Sequence, residues 1–205
     1  NKDLPKSTLP VYSRQAFPES VGAAADPLKS GTEEFKNEEI RVWSADGEVL
    51  IASITAKLHL ISPAVTEGLV KAVEIAEAKY QGLVIWSPDD VFSAGANLEA
   101  LLPVFMKLGA KGIKPEEKKL QDAMLRIRYA QVPVVSAMRG LALGGGCELA
   151  VHCARRVAHM ETYIGLVEVG VGLVPGAGGL KEGALRAAQA AQAAGINDVF
   201  PFMRN

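Results

Sequence analysis

Apolar positions fall along the chain either in short runs or at intervals of three and four, and the two patterns alternate. Ile40-Arg41-Val42-Trp43 and Val49-Leu50-Ile51-Ala52-Ser53-Ile54 are β-prone runs on either side of Ala45-Asp46-Gly47-Glu48, a turn signal, and together they predict a hairpin. Ser62-Pro63 supplies a helix N-cap and a first-position proline, and Leu69, Val70, Val73, Ile75 and Ala76 carry that helix toward a stop at Gly82. Leu83-Val84-Ile85-Trp86 is a continuous apolar run of the length of a buried strand. Residues 97 to 109 and 116 to 130 read as helices separated by Gly109-Ala110-Lys111-Gly112 and Pro115, and Val132 to Met138 returns as a strand. After a glycine turn from Gly140 to Gly146, Cys147 to Arg155 reads as helix, Arg156 to Met160 as strand and Ala184 to Ala194 as helix. Strand, glycine turn, helix is the repeated order, and it predicts an α/β domain.

The glycine turns bring candidate chemistry. Phe92-Ser93-Ala94-Gly95-Ala96-Asn97-Leu98 follows one strand and Gly144-Gly145-Gly146-Cys147-Glu148-Leu149 follows another, and both can present bare backbone N–H donors. At the start of a helix those donors have no partner within the helix, and the dipole adds about half a positive charge, so developing negative charge is stabilised there. Such glycines also simply allow tight strand-to-helix packing. The nucleotide-binding alternatives fail on residues. Gly146-Cys147 stands where a phosphate loop needs Lys-Ser/Thr, and in Gly170-Val171-Gly172-Leu173-Val174-Pro175 a proline occupies the third glycine's place.

Glu148 falls in the first turn of its expected helix, where the dipole favours the ionised form that a general base needs. Glu168, in Ile164-Gly165-Leu166-Val167-Glu168-Val169-Gly170-Val171, has only apolar neighbours, and burial there would raise its pKa toward that of a general acid. Two carboxylates whose surroundings separate their proton affinities form an acid/base pair, although each taken alone has a structural reading. His59, His152 and His159 make no metal set, and Lys111, Lys114, Lys118 and Lys119 read as a solvated helix face.

Composition narrows the class. With 205 residues, 49% hydrophobic, 22% charged and a formal net charge of −1, the chain has enough apolar surface for one sizeable core and no electrostatic footprint for nucleic acid. Cys147 and Cys153 are six apart in one expected helix, so they point away from each other and read as reduced core residues. No apolar stretch has the length of a membrane span and the start lacks a signal peptide's apolar region, so a cytoplasmic protein without a membrane partner is expected. Residues 1–37, rich in Pro, Ala, Ser and charge, read as a linker-like segment of a longer polypeptide, with the domain itself at 38–205.

Four ordered motifs resemble the crotonase (enoyl-CoA hydratase) superfamily: Phe92 to Leu98, Gly140 to Leu149, Gly165 to Glu168, and Val174-Pro175-Gly176-Ala177-Gly178-Gly179. The likeness runs from about Ile40 to Gly183, and Ala56 to Pro63 is similar to the family's CoA-gripping loop, with His59 where asparagine is common. The resemblance implies a crotonase-like spiral of ββα units that stops at Asn205, before the C-terminal helices that complete the family's pocket and often its trimer contacts. It also implies an oxyanion hole from the N–H groups of Ala96 and Gly145, catalysis by Glu148 and Glu168, and substrate binding by Leu58, Leu60, Ala94 and Gly176. Asn97 stands where many members have aspartate.

Both acidic residues are kept, so the resemblance implies an enoyl-CoA hydratase that acts on 2-enoyl-CoA in fatty-acid β-oxidation; an enoyl-CoA isomerase and a noncatalytic CoA-binding or assembly domain are the alternatives. The tail from Gly179 to Phe202 is similar to bifunctional proteins in which a 3-hydroxyacyl-CoA dehydrogenase accompanies the hydratase. Partners would then be an acyl-CoA substrate and either a dehydrogenase domain in the same polypeptide or further copies of the chain. No cofactor or metal is expected in this segment; NAD would belong to the dehydrogenase part.

Overall fold

The structure is a computed structural model that describes residues 31–203. The expected hairpin is present as β2 (Ile40–Ser44) and β3 (Val49–Ile54), paired antiparallel with Ile40 opposite Ile54. Asp46 makes the turn, its Oδ1 accepting from the N–H groups of Glu48 at 2.9 Å and Val49 at 3.1 Å. Ahead of it β1 (Thr32–Lys36) pairs antiparallel with β2, so a strand lies inside the stretch read as linker; residues 1–30 of that stretch lie outside the described residues. Charge and a single aromatic hid β1. Phe35 packs on the core and Glu33 pairs with Arg41 Nε at 2.9 Å, contacts that no local pattern announces.

Helix α1 (Pro63–Lys79) starts as its sequence predicts: Ser62 caps it, its Oγ accepting from the Val65 N–H at 3.2 Å, with Pro63 in the first turn. Val65, Leu69, Ala72, Val73 and Ala76 form one stripe at helical spacing, and all are buried against the sheet. At Gly68 an added Cβ would lie 2.2 Å from Ile40 Cγ2, so helix and strand approach as closely as a missing side chain permits. The helix ends at Lys79, and Gly82 opens β4 (Gly82–Trp86) instead of terminating the helix.

The remaining strands are dealt alternately to two sheets. β4, β6 (Val134–Met138) and β8 (Arg155–Ala158) extend β1-β2-β3 into a six-stranded sheet by parallel pairing. β5 (Val91–Ser93), β7 (Leu141–Leu143) and β9 (Tyr163–Gly165) form a second, three-stranded parallel sheet. Each step therefore lays one strand in each sheet and then a helix, which is the spiral of ββα units expected. The glycine turns after β5 and β7 fall in neighbouring steps and so come to the same end of the small sheet.

Three boundaries differ from expectation. Helices α2 (Leu98–Leu108) and α3 (Ala110–Arg128) are separated only at Gly109, whose φ of 60° breaks the helix, whereas Pro115 lies inside α3. That proline removes one bond near an exposed start, while Ala123, Met124 and Ile127 bury the far half and hold the helix. α4 (Gly145–His152) stops before Arg155 because Cys153 is extended and the Ala154 N–H joins the Val134 carbonyl at 2.9 Å, starting β8 early. α5 (Gly179–Ala193) begins well before Ala184, because its first N–H is capped by a side chain from elsewhere in the chain, Glu148, at 2.9 Å. A short helix α6 (Phe200–Met203) ends the described residues.

Gly140 fixes the turn between β6 and β7. Its φ is 62°, and a Cβ there would fall 1.6 Å from the Asp90 carbonyl oxygen. Gly140→Ala is expected to cost roughly 2 to 4 kcal/mol, combining the left-handed backbone with overpacking against a main-chain atom. Urea unfolding of the two proteins measures this, and equal midpoints would show that the turn is not constrained as described.

Candidate active site

The loop Ala94–Asn97 is stitched to the segment after β3. The Ile61 N–H donates to Gly95 O at 2.8 Å, the Asn97 N–H to Ile61 O at 3.0 Å and the Ala94 N–H to Leu58 O at 3.1 Å. Ser93 Oγ donates to His59 O at 2.7 Å and accepts from the Gly95 N–H at 3.2 Å, while His59 Nδ1 donates to Val91 O. These bonds hold Leu58 and His59 at φ of 53° and 50°, left-handed conformations that cost non-glycine residues about 1 to 2 kcal/mol each. Backbone strain of this kind persists only where the surroundings impose it. Asn97 caps α2, its Oδ1 accepting from the Ala100 N–H at 3.1 Å.

Because the parallel bridge to Ile61 uses the Gly95 carbonyl and the Asn97 N–H, the Ala96 N–H turns to the opposite side. There it meets the start of α4. A Cβ on Gly145 would lie 3.2 Å from Ala96 N, and a Cβ on Gly95 would lie 3.4 Å from Gly145 N. Gly145 is the first residue of α4, so its N–H is one of the donors the helix itself leaves unpaired. Gly146 packs on Ser93 O, 2.6 Å from where a Cβ would be. The two turns thus meet backbone to backbone, and Ala96 and Gly145 both line a cavity of about 940 Å³.

Both glutamates line the same cavity, as do Ala94 and Gly176; Leu58 and Leu60 do not. Leu58 instead stands behind the loop, its carbonyl occupied by Ala94. Apolar side chains of α2, among them Leu98, Leu101 and Phe105, face Val167, Leu173 and Val174 across the space.

The electrostatics correct the expectation. Glu148 is the buried carboxylate, 3% exposed, whereas Glu168 is half-buried and its neighbours Val169 and Val171 are mostly exposed at 79% and 66%. Burial pushes the Glu148 carboxyl above its ordinary value, opposed by the Gly179 N–H, and the charge of Glu168 adds to the rise. The dipole of its own helix was the influence legible in sequence, whereas burial, which raises the pKa, is the largest one in the folded chain. Glu168 sits at the start of a 3₁₀ turn, Glu168–Val171, with Oε1 3.3 Å from where a Gly144 Cβ would be; its Oε2 is buried and has no hydrogen-bond partner among the described residues. The Cys147 thiol, raised to about 11 by burial and by the Glu168 and Glu148 charges, is inert as a nucleophile near neutral pH.

Residues 56–196 match the family described as Enoyl-CoA hydratase/isomerase. The chain belongs to that family. A putative fatty acid oxidation complex trifunctional enzyme from Rickettsia prowazekii is 37% identical over 190 residues, covering 89% of this chain and 26% of the relative. A probable 3-hydroxyacyl-CoA dehydrogenase from Bacillus subtilis is 35% identical over 147 residues, covering 72% of this chain and 19% of its own length. The chain therefore spans about a quarter or less of these relatives. Among solved structures, an enoyl-CoA hydratase from Polaromonas sp. JS666 superposes with a TM-score of 0.67 at 27% identity, over 75% of this chain and 61% of that one. One from Bacillus anthracis gives 0.66 at 23% identity, over 82% and 62%, a likeness of fold.

Other expectations find their places too. Lys118 and Lys119 lie on the exposed face of α3 and pair with Asp122 and Glu116. Cys147 and Cys153 are buried and free. Among the described residues no helix is long and apolar enough to cross a membrane. Sequence reasoning missed that His152 and Glu182, each 1% exposed, lie directly behind Glu148. The only local signal was a polar residue four positions after Glu148 on its helix, at His152.

A carboxyl whose pKa is raised by folding binds more protons folded than unfolded above pH 4.5, so stability falls as pH rises through that interval. Glu148→Gln keeps an acceptor for the Gly179 N–H and removes the buried charge. It is expected to unfold at a higher temperature than the parent at pH 7, with the difference shrinking as pH falls toward 4.5. A variant less stable at pH 7 would show that the hydrogen bonds, not desolvation, dominate.

Proposed function

We propose that the domain hydrates 2-enoyl-CoA thioesters to 3-hydroxyacyl-CoA. The observation that carries this reading is the shared cavity wall: two carboxylates and two unpaired amide donors from separate steps of the spiral border the same space. A hydration needs one group to take a proton from water, one to deliver a proton to carbon, and a site for the charge on the thioester oxygen between those events.

In this reading the thioester carbonyl accepts from the Ala96 and Gly145 N–H groups. Water adds at C3 as Glu148 takes its proton, negative charge passes through C2 to the thioester oxygen, and Glu168 protonates C2. One water is consumed and the two glutamates exchange proton states, which solvent restores. Desolvation makes Glu148 a stronger base than an exposed carboxylate, and the Gly179 N–H bond opposes that rise by favouring the ionised form. Each oxyanion donor in sites of this kind contributes about 2.7 to 4 kcal/mol to the transition state. Gly176, on the cavity wall, would lie beside the reacting acyl group, and backbone around Leu58, Leu60 and Ala94, of which only Ala94 lines the cavity, would hold the adenine and pantetheine portions.

The printed names of the relatives support a place in fatty-acid oxidation beside a dehydrogenase activity, whose NAD would bind outside these residues. An isomerase would shuttle a proton on one carboxylate and consume no water. Glu148→Gln and Glu168→Gln, each made singly, are expected to slow hydration of crotonyl-CoA by roughly 10²-fold or more, read as loss of the enoyl thioester absorbance. Hydration that survives either change at near-parental rate contradicts the paired mechanism. Saturable binding of crotonyl-CoA without turnover by the full chain would favour a noncatalytic CoA-binding domain.

A further inference from the structure

Behind Glu148, on the side away from the cavity, lies a buried cluster of charges that the proposed chemistry does not use. Glu182, in the first turn of α5, is 1% exposed and is ringed by Arg128 Nε of α3 at 3.5 Å, His152 Nε2 of α4 at 4.0 Å, and Lys181 Nζ and Arg186 Nε of its own helix at 3.3 and 3.9 Å. Glu182 Oε2, His152 Nε2 and Arg186 Nε have no hydrogen-bond partner among the described residues. Arg128, Lys181 and Arg186 supply the counter-charges, whereas burial lowers the His152 pKa and favours its neutral ring; the carboxylate is the common centre.

Two links run from this centre to Glu148. His152 Nδ1 donates to the Glu148 main-chain oxygen at 2.7 Å, and since that oxygen only accepts, the ring proton is on Nδ1 and Nε2 faces Glu182. On the other side the His152 ring packs on the turn before α5, where a Cβ on Gly178 would lie 3.2 Å from His152 Nε2; the Glu182 N–H to Gly178 O bond at 3.0 Å is the helix's own first backbone bond and does not depend on the side chain at 182. The turn so gripped ends at Gly179, whose N–H is the donor to Glu148 Oε1. Arg186 Nη2 meanwhile donates to the carbonyls of Val151 and Cys153 at the end of α4, closing the same two helices on each other.

We infer that Glu182 is a positioning residue for Glu148, fixing the Gly178–Gly179 turn and His152 so that the Gly179 N–H is aimed at one oxygen of the Glu148 carboxylate. A buried carboxylate that holds three helices together is expensive unless its counter-charges are in place, and removing it leaves Arg128 and Arg186 uncompensated. The start of α5 then loses its tie to α3 and α4, and the donor at Gly179 moves.

The test separates positioning from simple charge. Replacing Glu182 by glutamine removes a negative charge, which acting through space alone lowers the pKa of Glu148; loss of the Gly179 N–H bond raises it. The titration of the Glu148 carboxyl, which also faces Glu168 and the Cys147 thiol, is followed in the full chain with ¹³C-labelled glutamate, assigned through Glu148→Gln. In Glu182→Gln the midpoint is expected to move up and the Gly179 amide to exchange at least about tenfold faster, while Glu182→Asp, which keeps the charge, falls between the two proteins. A midpoint that stays or moves down with Gly179 still protected overturns the inference. Should Glu182→Gln fail to fold, Arg128→Gln removes one counter-charge from the edge of the cluster; because loss of a positive charge by itself raises the Glu148 midpoint, this variant is read by the Gly179 amide alone, where exchange at least about tenfold faster is expected and unchanged protection overturns the inference. Neither signal depends on turnover, so this inference and the hydratase reading can fail separately.

Discussion

Two turns of glycine and small residues touch backbone to backbone, and the rest of the site depends on that contact. Where Gly95 faces Gly145 N and Gly146 faces Ser93 O, the missing side chains leave only van der Waals distance between main chains. A methyl at Gly146 would sit 2.6 Å from a carbonyl oxygen and force the start of α4 away from the β5 loop. With the contact made, Ala96 and Gly145 border one space; without it they stand on separate loops. The bonds from Leu58, His59 and Ile61 to the β5 loop hold one half of the contact rigid, at the cost of two left-handed residues.

Glu148 ties this contact to the far side of the cavity. Its helix starts at the contact, its carboxylate caps α5, and its main-chain oxygen receives the His152 ring. The same side chain therefore serves as a structural cap and as the strongest candidate base. Burial raises its proton affinity, and the amide bond from the start of α5 opposes the rise. This is a local stability cost of the sort functional sites carry.

The parts of the fold that were legible in the sequence are those written locally. The hairpin about Asp46, the Ser62-Pro63 helix start and the glycine turns after β5 and β7 each carry their own signal over a few residues. Three of the four motifs located Ala96, Gly145, Glu148 and Glu168, the fourth Gly176, and the structure brings all five residues to one cavity. What escaped was set by partners distant in sequence. β1 depends on the Glu33–Arg41 pair, α5 starts early because Glu148 caps it, and the burial that distinguishes the two glutamates comes from the packing of α4 between the sheet and α5. Apolar neighbours suggested a buried Glu168, yet Val169 and Val171 are themselves mostly exposed. Neighbours in sequence could not report which side of a 3₁₀ turn would be covered.

The account's central claim is that the Ala96 and Gly145 amides converge on one oxygen of the bound molecule. Its most direct measure is the carbonyl stretching frequency of a saturated acyl-CoA labelled with ¹³C at the thioester carbon, recorded by infrared difference spectroscopy free and bound to the full chain. Two convergent donors predict a bound band at lower frequency and narrower than in water, reflecting a more polarised and more uniformly bonded carbonyl. Saturable binding with the band at or above its frequency in water would mean that the amides do not grip the thioester oxygen.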